Sequence, residues 1–241
     1  MHIAGYLMQS FSDFPGVPCA VLFTPGCTFR CGYCHNPGII DPAHAEKHDE
    51  KVLMERLSQA KWALEGVVIT GGEPTLQNDL PLFCSQLKEI GYKVKLDTNG
   101  TNPAMVKKLM AERLVDYVAM DMKAPYEKYP LITGNDLTHH VKETAGMILH
   151  GRLDHEFRTT FCPDVLTDGD VHSIVQQISG AKRYALQQFR PTRCLDKRYE
   201  SFRKPTPEEI RDLAKRLVFR GEIRIRTEQG EEVLRRAVSS Q

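Results

Sequence analysis

Cys19-Ala20-Val21-Leu22-Phe23-Thr24-Pro25-Gly26-Cys27-Thr28-Phe29-Arg30-Cys31-Gly32-Tyr33-Cys34-His35-Asn36-Pro37 joins a short apolar run to a loop that carries three cysteines. The run has the length and residue types of a strand buried on both faces. Similar runs recur at Gly66 to Thr70, Lys93 to Thr98, Tyr117 to Met122, Glu156 to Thr160 and Tyr184 to Phe189. Amphipathic stretches separate and follow them: Lys51 to Leu64, Asp79 to Ile90, Pro103 to Glu112, Leu137 to His150, Asp168 to Ser179 and Pro207 to Val218. Several carry end signals. Asn102 precedes the first-turn Pro103, Gly91 follows Ile90, and Glu208 and Glu209 follow Thr206-Pro207. Six strands alternating with six helices predict an α/β fold with a parallel sheet, either doubly wound or an incomplete barrel. In both, loops at the carboxyl ends of strands carry the site.

The cysteines sit on such a loop, spaced x3 and then x2, and offer three thiolates to one metal centre. A four-iron cluster normally takes four cysteines. Three leave an iron without a protein ligand, and an open coordination position marks catalytic metal sites, by the logic worked out for zinc. The alternatives are a zinc site and a group of buried free cysteines. Zinc needs a fourth ligand, and His35 adjoins Cys34 too closely to share its ion, while His44 and His48 lie in a polar stretch. Arg30 and Gly32 between the cysteines argue against simple burial.

Composition bounds the rest. The chain has 241 residues, 41% of them hydrophobic and 8% aromatic, which suits an ordinary globular protein. Thirty-two Lys and Arg against 31 Asp and Glu leave no global field to attract nucleic acid or an anionic membrane. The apolar runs are too short to span a bilayer, and no leader pattern opens the chain. Seven cysteines, three of them clustered, point to a reducing, cytoplasmic setting. Cys19 and Cys84 read as core, whereas Cys162 and Cys194 follow late strands. Leu195 to Pro207 is the most linker-like stretch, and Glu222 to Thr227 reads as a short extra strand.

Polar residues gather at the other strand ends. Gly71-Gly72-Glu73-Pro74 permits close backbone approach by a ligand and offers a carboxylate to an ammonium group, although a tight turn with a solvated glutamate would look the same. Asp97-Thr98-Asn99-Gly100 and Asp121-Met122-Lys123-Ala124-Pro125 close the next two strands. An aspartate in an apolar strand is costly unless paired, so Asp97 and Asp121 need a cation, Lys123, or a structural salt bridge. Arg158, Gln187 and Gln188 add polar groups on late strands, where packing and ligand contact are both open.

Together these motifs resemble the radical S-adenosylmethionine (SAM) superfamily, whose hallmark is a Cys-x3-Cys-x2-Cys loop with an aromatic residue, here Tyr33, before the last cysteine. Cys34-His35-Asn36-Pro37 and Ser12-Asp13-Phe14-Pro15-Gly16 are similar to the activating enzymes of glycyl radical enzymes. The nearest likeness is to activating proteins of anaerobic ribonucleoside-triphosphate reductase, which Phe157-Arg158-Thr159-Thr160 and Leu186-Gln187-Gln188-Phe189-Arg190 also fit. Phe14 and Val17 depart from the usual N-terminal motif of that group.

The resemblance implies a partial six-stranded (β/α)6 barrel, one domain over residues 1–241, with a core at about 17–190 and a carboxyl-terminal extension from about 195. It implies a [4Fe-4S] cluster on Cys27, Cys31 and Cys34, and reductive cleavage of SAM to methionine and a 5'-deoxyadenosyl radical. Tyr33 would lie near the adenine, Gly71, Gly72 and Glu73 would receive the methionine amino group, and Lys123 would approach the carboxylate. Asp97, Thr98 and Asp121 match positions that hold a monovalent cation in one relative, and Asn99 would help the ribose. No histidine matches at Gln188 or Arg190, so ribose contacts on the last strand stay open. Asn36 and loop amides would tune the cluster potential.

The implied function is an activase that takes an electron from a flavodoxin or ferredoxin and abstracts a hydrogen from a glycine of a partner enzyme. About 240 residues leave little room for an extra substrate domain, so a rim open to a polypeptide loop is expected. A radical SAM enzyme acting on a small molecule, in cofactor or modified-nucleoside synthesis, is the second reading. A non-catalytic iron-sulfur or zinc scaffold is the third.

Overall fold

Asp49 accepts hydrogen bonds from the backbone N–H groups of Lys51 and Val52 and so starts α1 (Glu50–Ala60), and Asn102, Thr167 and Thr206 start later helices in the same way. The computed structural model describes residues 1–234. Its strands are β1 (Gly5–Ser10), β2 (Cys19–Thr24), β3 (Gly66–Gly71), β4 (Lys93–Thr98), β5 (Tyr117–Asp121), β6 (Asp154–Phe161), β7 (Arg183–Gln188), β8 (Glu222–Thr227) and β9 (Gly230–Leu234). The further helices are α2 (Leu80–Ile90), α3 (Pro103–Ala111), α4 (Tyr129–Thr133), α5 (Thr138–His150), α6 (Asp168–Gln177) and α7 (Pro207–Arg216). The fold is α/β with a nine-stranded, mostly parallel sheet whose strands follow chain order. No helix among the described residues is long and apolar enough to cross a membrane.

The chain divides into two compact units, the first made of residues 1–28 and 36–119, the second of residues 29–35 and 120 onward. In the first, β1 runs antiparallel to β2, which pairs in parallel with β3, and β3 with β4. Val67, Val68 and Ile69 are fully buried, and each such side chain contributes roughly 1.5–3 kcal/mol. Phe14 and Val17 pack with Cys19, Val21, Val68, Tyr117 and Ala119. A Cβ on Gly66 would lie 2.8 Å from Val17 and 2.9 Å from Phe14, so the unusual N-terminal residues fill core space. Asn102 caps α3 through the Met105 N–H, and Gly91, at φ 94°, ends α2.

In the second unit β6, β7 and β8 pair in parallel and β9 returns antiparallel to β8. Thr167 with Asp170 and Thr206 with Glu209 form capping boxes on α6 and α7. Glu156 is fully buried, and both its oxygens accept from Arg226, at 3.0 and 2.9 Å.

The six strands and six main helices expected from sequence are present, and Glu222 to Thr227 is a strand. The structure adds β1, β9 and α4. In β1, half-buried residues alternate with exposed ones, so it lacks a continuous apolar run. α1 stops at Ala60 rather than Leu64, because the chain turns so that the N–H groups of Glu65 and Gly66 reach the Pro18 carbonyl, at 2.9 and 3.1 Å. The end of the expected carboxyl-terminal extension, residues 235–241, lies outside the described residues.

Candidate active site

Within the first unit, the loops after β2, β3 and β4 are tied together. The Gly72 N–H donates to the Thr24 carbonyl at 2.9 Å and the Glu73 N–H to the Gly26 carbonyl at 2.7 Å. A Cβ on Gly72 would meet the Gly26 oxygen at 2.0 Å, and Gly71 adopts φ +117° with room for no Cβ against Thr24. The two glycines therefore let the Gly-Gly-Glu loop lie directly against the loop that enters the cysteine run. The close approach that Gly71 and Gly72 permit is made here by the backbone of Thr24 and Gly26.

The Glu73 side chain is fully buried. Its Oε1 accepts from the Thr75 N–H (3.1 Å), the Thr75 hydroxyl (2.5 Å) and the Thr98 hydroxyl (2.8 Å), and its Oε2 from the Asn99 N–H (2.6 Å). Burial raises its pKa, and the donations from Thr75, Asn99 and Thr98 oppose the rise. Glu73 thus joins the ends of β3 and β4 with its acceptors engaged inside the protein.

Asn99 is similarly engaged. Its side-chain amide donates to Cys27 Sγ at 3.8 Å and to Thr28 Oγ1 at 3.0 Å, and its Oδ1 accepts from the Thr101 N–H and hydroxyl at 3.0 and 2.7 Å. The resemblance implies a ribose contact for Asn99, and its amide here lies toward the first cysteine. Asp97 pairs with Lys95 at 2.6 Å, and the Lys95 side chain is 2% exposed. Asn36 is exposed and opens the turn Pro37–Ile39 without a side-chain cap bond.

The second unit holds the rest of the cysteine loop. The Cys34 N–H donates to the Cys31 carbonyl at 3.0 Å, closing a turn, and the Arg30 N–H donates to the Thr133 carbonyl at 2.7 Å. None of the seven cysteines is in a disulfide, and Cys31 is buried while Cys27 and Cys34 are partly exposed. No group of three or more His, Cys, Asp or Glu among the described residues is arranged to hold a metal ion. Tyr33 is buried and its hydroxyl has no hydrogen-bond partner. Burial raises its pKa well above the ordinary value, followed by the neighbouring Cys31, while Lys123 acts to lower it. An orphaned buried hydroxyl on the cysteine loop fits a polar group bound there.

Asp121 accepts from Lys123 Nζ at 2.8 Å and from Arg158 Nε at 2.7 Å. Burial pushes its carboxyl up, but Arg158 and then Lys123 outweigh it and hold the pKa far below the usual carboxylate range. Burial likewise acts to lower Lys123, and the Asp121 charge reverses the sign. Sequence reading named Lys123 as a partner and missed Arg158, which comes from another strand. Gln188 donates to the Pro205 carbonyl at 2.7 Å and accepts from the Glu228 N–H at 2.8 Å, so both ends of its amide join packing. Cys162 and Cys194 are buried, and burial pushes the Cys162 thiol up to about 12.

Comparison with known proteins gives these loops a context. A family model described as the Radical SAM superfamily matches residues 21–178. A Methanocaldococcus jannaschii protein that bears the provisional name glycyl-radical enzyme activating enzyme is 32% identical over 221 residues, covering 88% of this chain and 90% of its own. A 7-carboxy-7-deazaguanine synthase of Halobacterium salinarum is 32% identical over 97 residues, 40% of this chain and 37% of that protein. Among solved structures, TYW1 with a lysine-pyruvate adduct bound aligns with a TM-score of 0.67 at 18% identity, covering 92% of this chain and 82% of that one. This last likeness is one of fold.

Proposed function

Because this chain belongs to the radical SAM superfamily, we propose that it is the activase of a glycyl radical enzyme, with an anaerobic ribonucleoside-triphosphate reductase as the partner. It is a radical SAM enzyme, and membership implies a [4Fe-4S] cluster and SAM. The activase reading rests on the M. jannaschii relative, which is similar along nearly the whole chain, and the reductase as partner on the likeness of Phe157-Arg158-Thr159-Thr160 and Leu186-Gln187-Gln188-Phe189-Arg190.

In this reading Cys27, Cys31 and Cys34 hold the cluster. Bound there with SAM, the cluster would supply one-electron reductive cleavage of the sulfonium, the chemistry needed for hydrogen abstraction from the partner's glycine. The chain's own residues bind and position. The Gly71-Gly72 backbone receives the methionine amino group, and Lys123, whose ammonium has donors beyond the one given to Asp121, meets the carboxylate. Tyr33 lies beside the cofactor. Glu73 holds Thr98 and Asn99 in place, and Asn99 steadies Cys27.

Asp97 and Asp121 do not need a monovalent cation for neutralisation, because Lys95 pairs with the first, and Lys123 and Arg158 with the second. The electron donor in this account is a flavodoxin or ferredoxin.

The H. salinarum relative supports a second reading, a small-molecule substrate in cofactor or modified-nucleoside synthesis. One assay separates the two. Anaerobically reconstituted protein, reduced and given SAM, should form 5'-deoxyadenosine faster when a reductase with a glycyl-radical loop is added. Stimulation by a small molecule and none by the protein would favour the second reading.

A further inference from the structure

Leu195 to Pro207 looks like a linker in sequence, yet its first residues grip the cysteine loop. The Leu195 N–H donates to the Cys34 carbonyl at 3.1 Å and the Asp196 N–H to the Gly32 carbonyl at 3.0 Å. The Tyr199 ring occupies the space a side chain on residue 32 would need: a Cβ there would lie 2.1 Å from the ring edge. Its centroid is 6.2 Å from that of Tyr33 and 4.6 Å from that of Phe202.

The segment is itself braced. Asp196 accepts from the Arg198 N–H and starts a single helical turn, Lys197–Ser201. Glu200 accepts from the Cys194 N–H at 3.2 Å and from Lys197 at 2.8 Å. Just before it, the Arg190 carbonyl meets His35 Nε2 at 2.8 Å, and Phe189 stacks on the His35 ring at 6.4 Å. All of these contacts lie within the second unit.

We propose that Leu195 to Tyr199 is a clamp on the Cys31–Cys34 turn, and that Tyr199 is a positioning residue whose ring keeps water from the two cysteines. The proposal deepens the functional reading above and rests on it. Reduction adds negative charge to a cluster held by thiolates, and a dry, weakly polarisable neighbour disfavours that charge. The clamp therefore holds the cluster's reduction potential low and slows loss of iron. Gly32 is required because the ring takes its side-chain volume.

The test uses the reconstituted holoprotein and reads the midpoint potential and the rate of iron release to a chelator, neither of which needs a substrate. Tyr199→Phe should match wild type, since the ring and not the hydroxyl fills the space. Tyr199→Ala should raise the potential and release iron on the order of tenfold faster, the scale for neighbours that support metal ligands. Gly32→Ala should displace the ring with the same effect. The double variant should match Tyr199→Ala and show no added effect, because the ring is already gone and the new methyl enters room it has left. General destabilisation would make the double variant worse. The proposal is overturned if Tyr199→Ala leaves both readouts unchanged, or if Tyr199→Phe behaves like Tyr199→Ala. A wild-type chain that takes up no cluster overturns the functional reading and the clamp with it; a loaded wild type with an unshifted Tyr199→Ala overturns the clamp alone.

Discussion

Asp121→Asn leaves Lys123 and Arg158 facing an amide, and the structure fixes what that should cost. Removing one partner of a buried pair typically costs about 3–5 kcal/mol, because the remaining charge is left uncompensated. The side chains here are 24% exposed for Asp121, 21% for Lys123 and 13% for Arg158, so solvent relieves part of the loss. A destabilisation of about 2–4 kcal/mol at neutral pH follows. In a chain of this length that lowers the unfolding midpoint by roughly 5–15 °C. The sign of the pH dependence is also set. Asp121 titrates below its ordinary value of 3.8 in the folded chain, despite burial, because Arg158 and Lys123 outweigh the desolvation. Its contribution is therefore present above that ordinary value and disappears as pH falls through the depressed one. Denaturant unfolding of wild type and variant between neutral pH and about pH 2 should show a gap that narrows with acid. A gap under about 0.5 kcal/mol at neutral pH, the usual range for an inert surface change, would refute the reasoning.

Gly72→Ala places a methyl 2.0 Å from the Gly26 carbonyl oxygen, which is backbone and has no rotamer to give. It should cost about 3 kcal/mol or more and abolish SAM binding by calorimetry, whereas wild-type affinity would mean that the loop is not where SAM approaches. Glu73→Gln turns one of two accepting oxygens into a donor among four N–H and O–H donors. A loss of about 1–3 kcal/mol by denaturant unfolding should accompany faster hydrogen exchange at the Asn99 amide, and an unchanged exchange rate would show that Glu73 does not join the two loops.

The strands buried on both faces were legible because such strands read as unbroken apolar runs, as Gly66 to Thr70 does. β1 and β9 were not, since each covers only part of its surface and carries residues such as Gln9, Glu231 and Glu232. At the site, sequence identified costly aspartates without identifying all their partners. Lys95 stands two residues before Asp97, on the same face of β4, so that pair was readable from the period of a strand. Arg158 reaches Asp121 from a strand far away in sequence, and no local pattern signals it. For Glu73 and Asn99 the resemblance implies a bound ligand. The hydroxyls of Thr75, Thr98 and Thr101 nearby were the available sign that their polar atoms had protein partners. The clamp was hidden for the opposite reason: it opens a charged, proline-containing stretch that resembles a linker, and its grip on Gly32 and Cys34 runs through main-chain groups, which sequence does not distinguish.

The activase assignment is tested most directly by electron spin resonance of the partner. The reduced, cluster-loaded chain should be mixed anaerobically with SAM and a ribonucleoside-triphosphate reductase that contains a glycyl-radical loop. The account predicts a glycyl radical signal that requires all three components and disappears when the loop glycine is replaced by alanine. Formation of 5'-deoxyadenosine with no glycyl signal would contradict it.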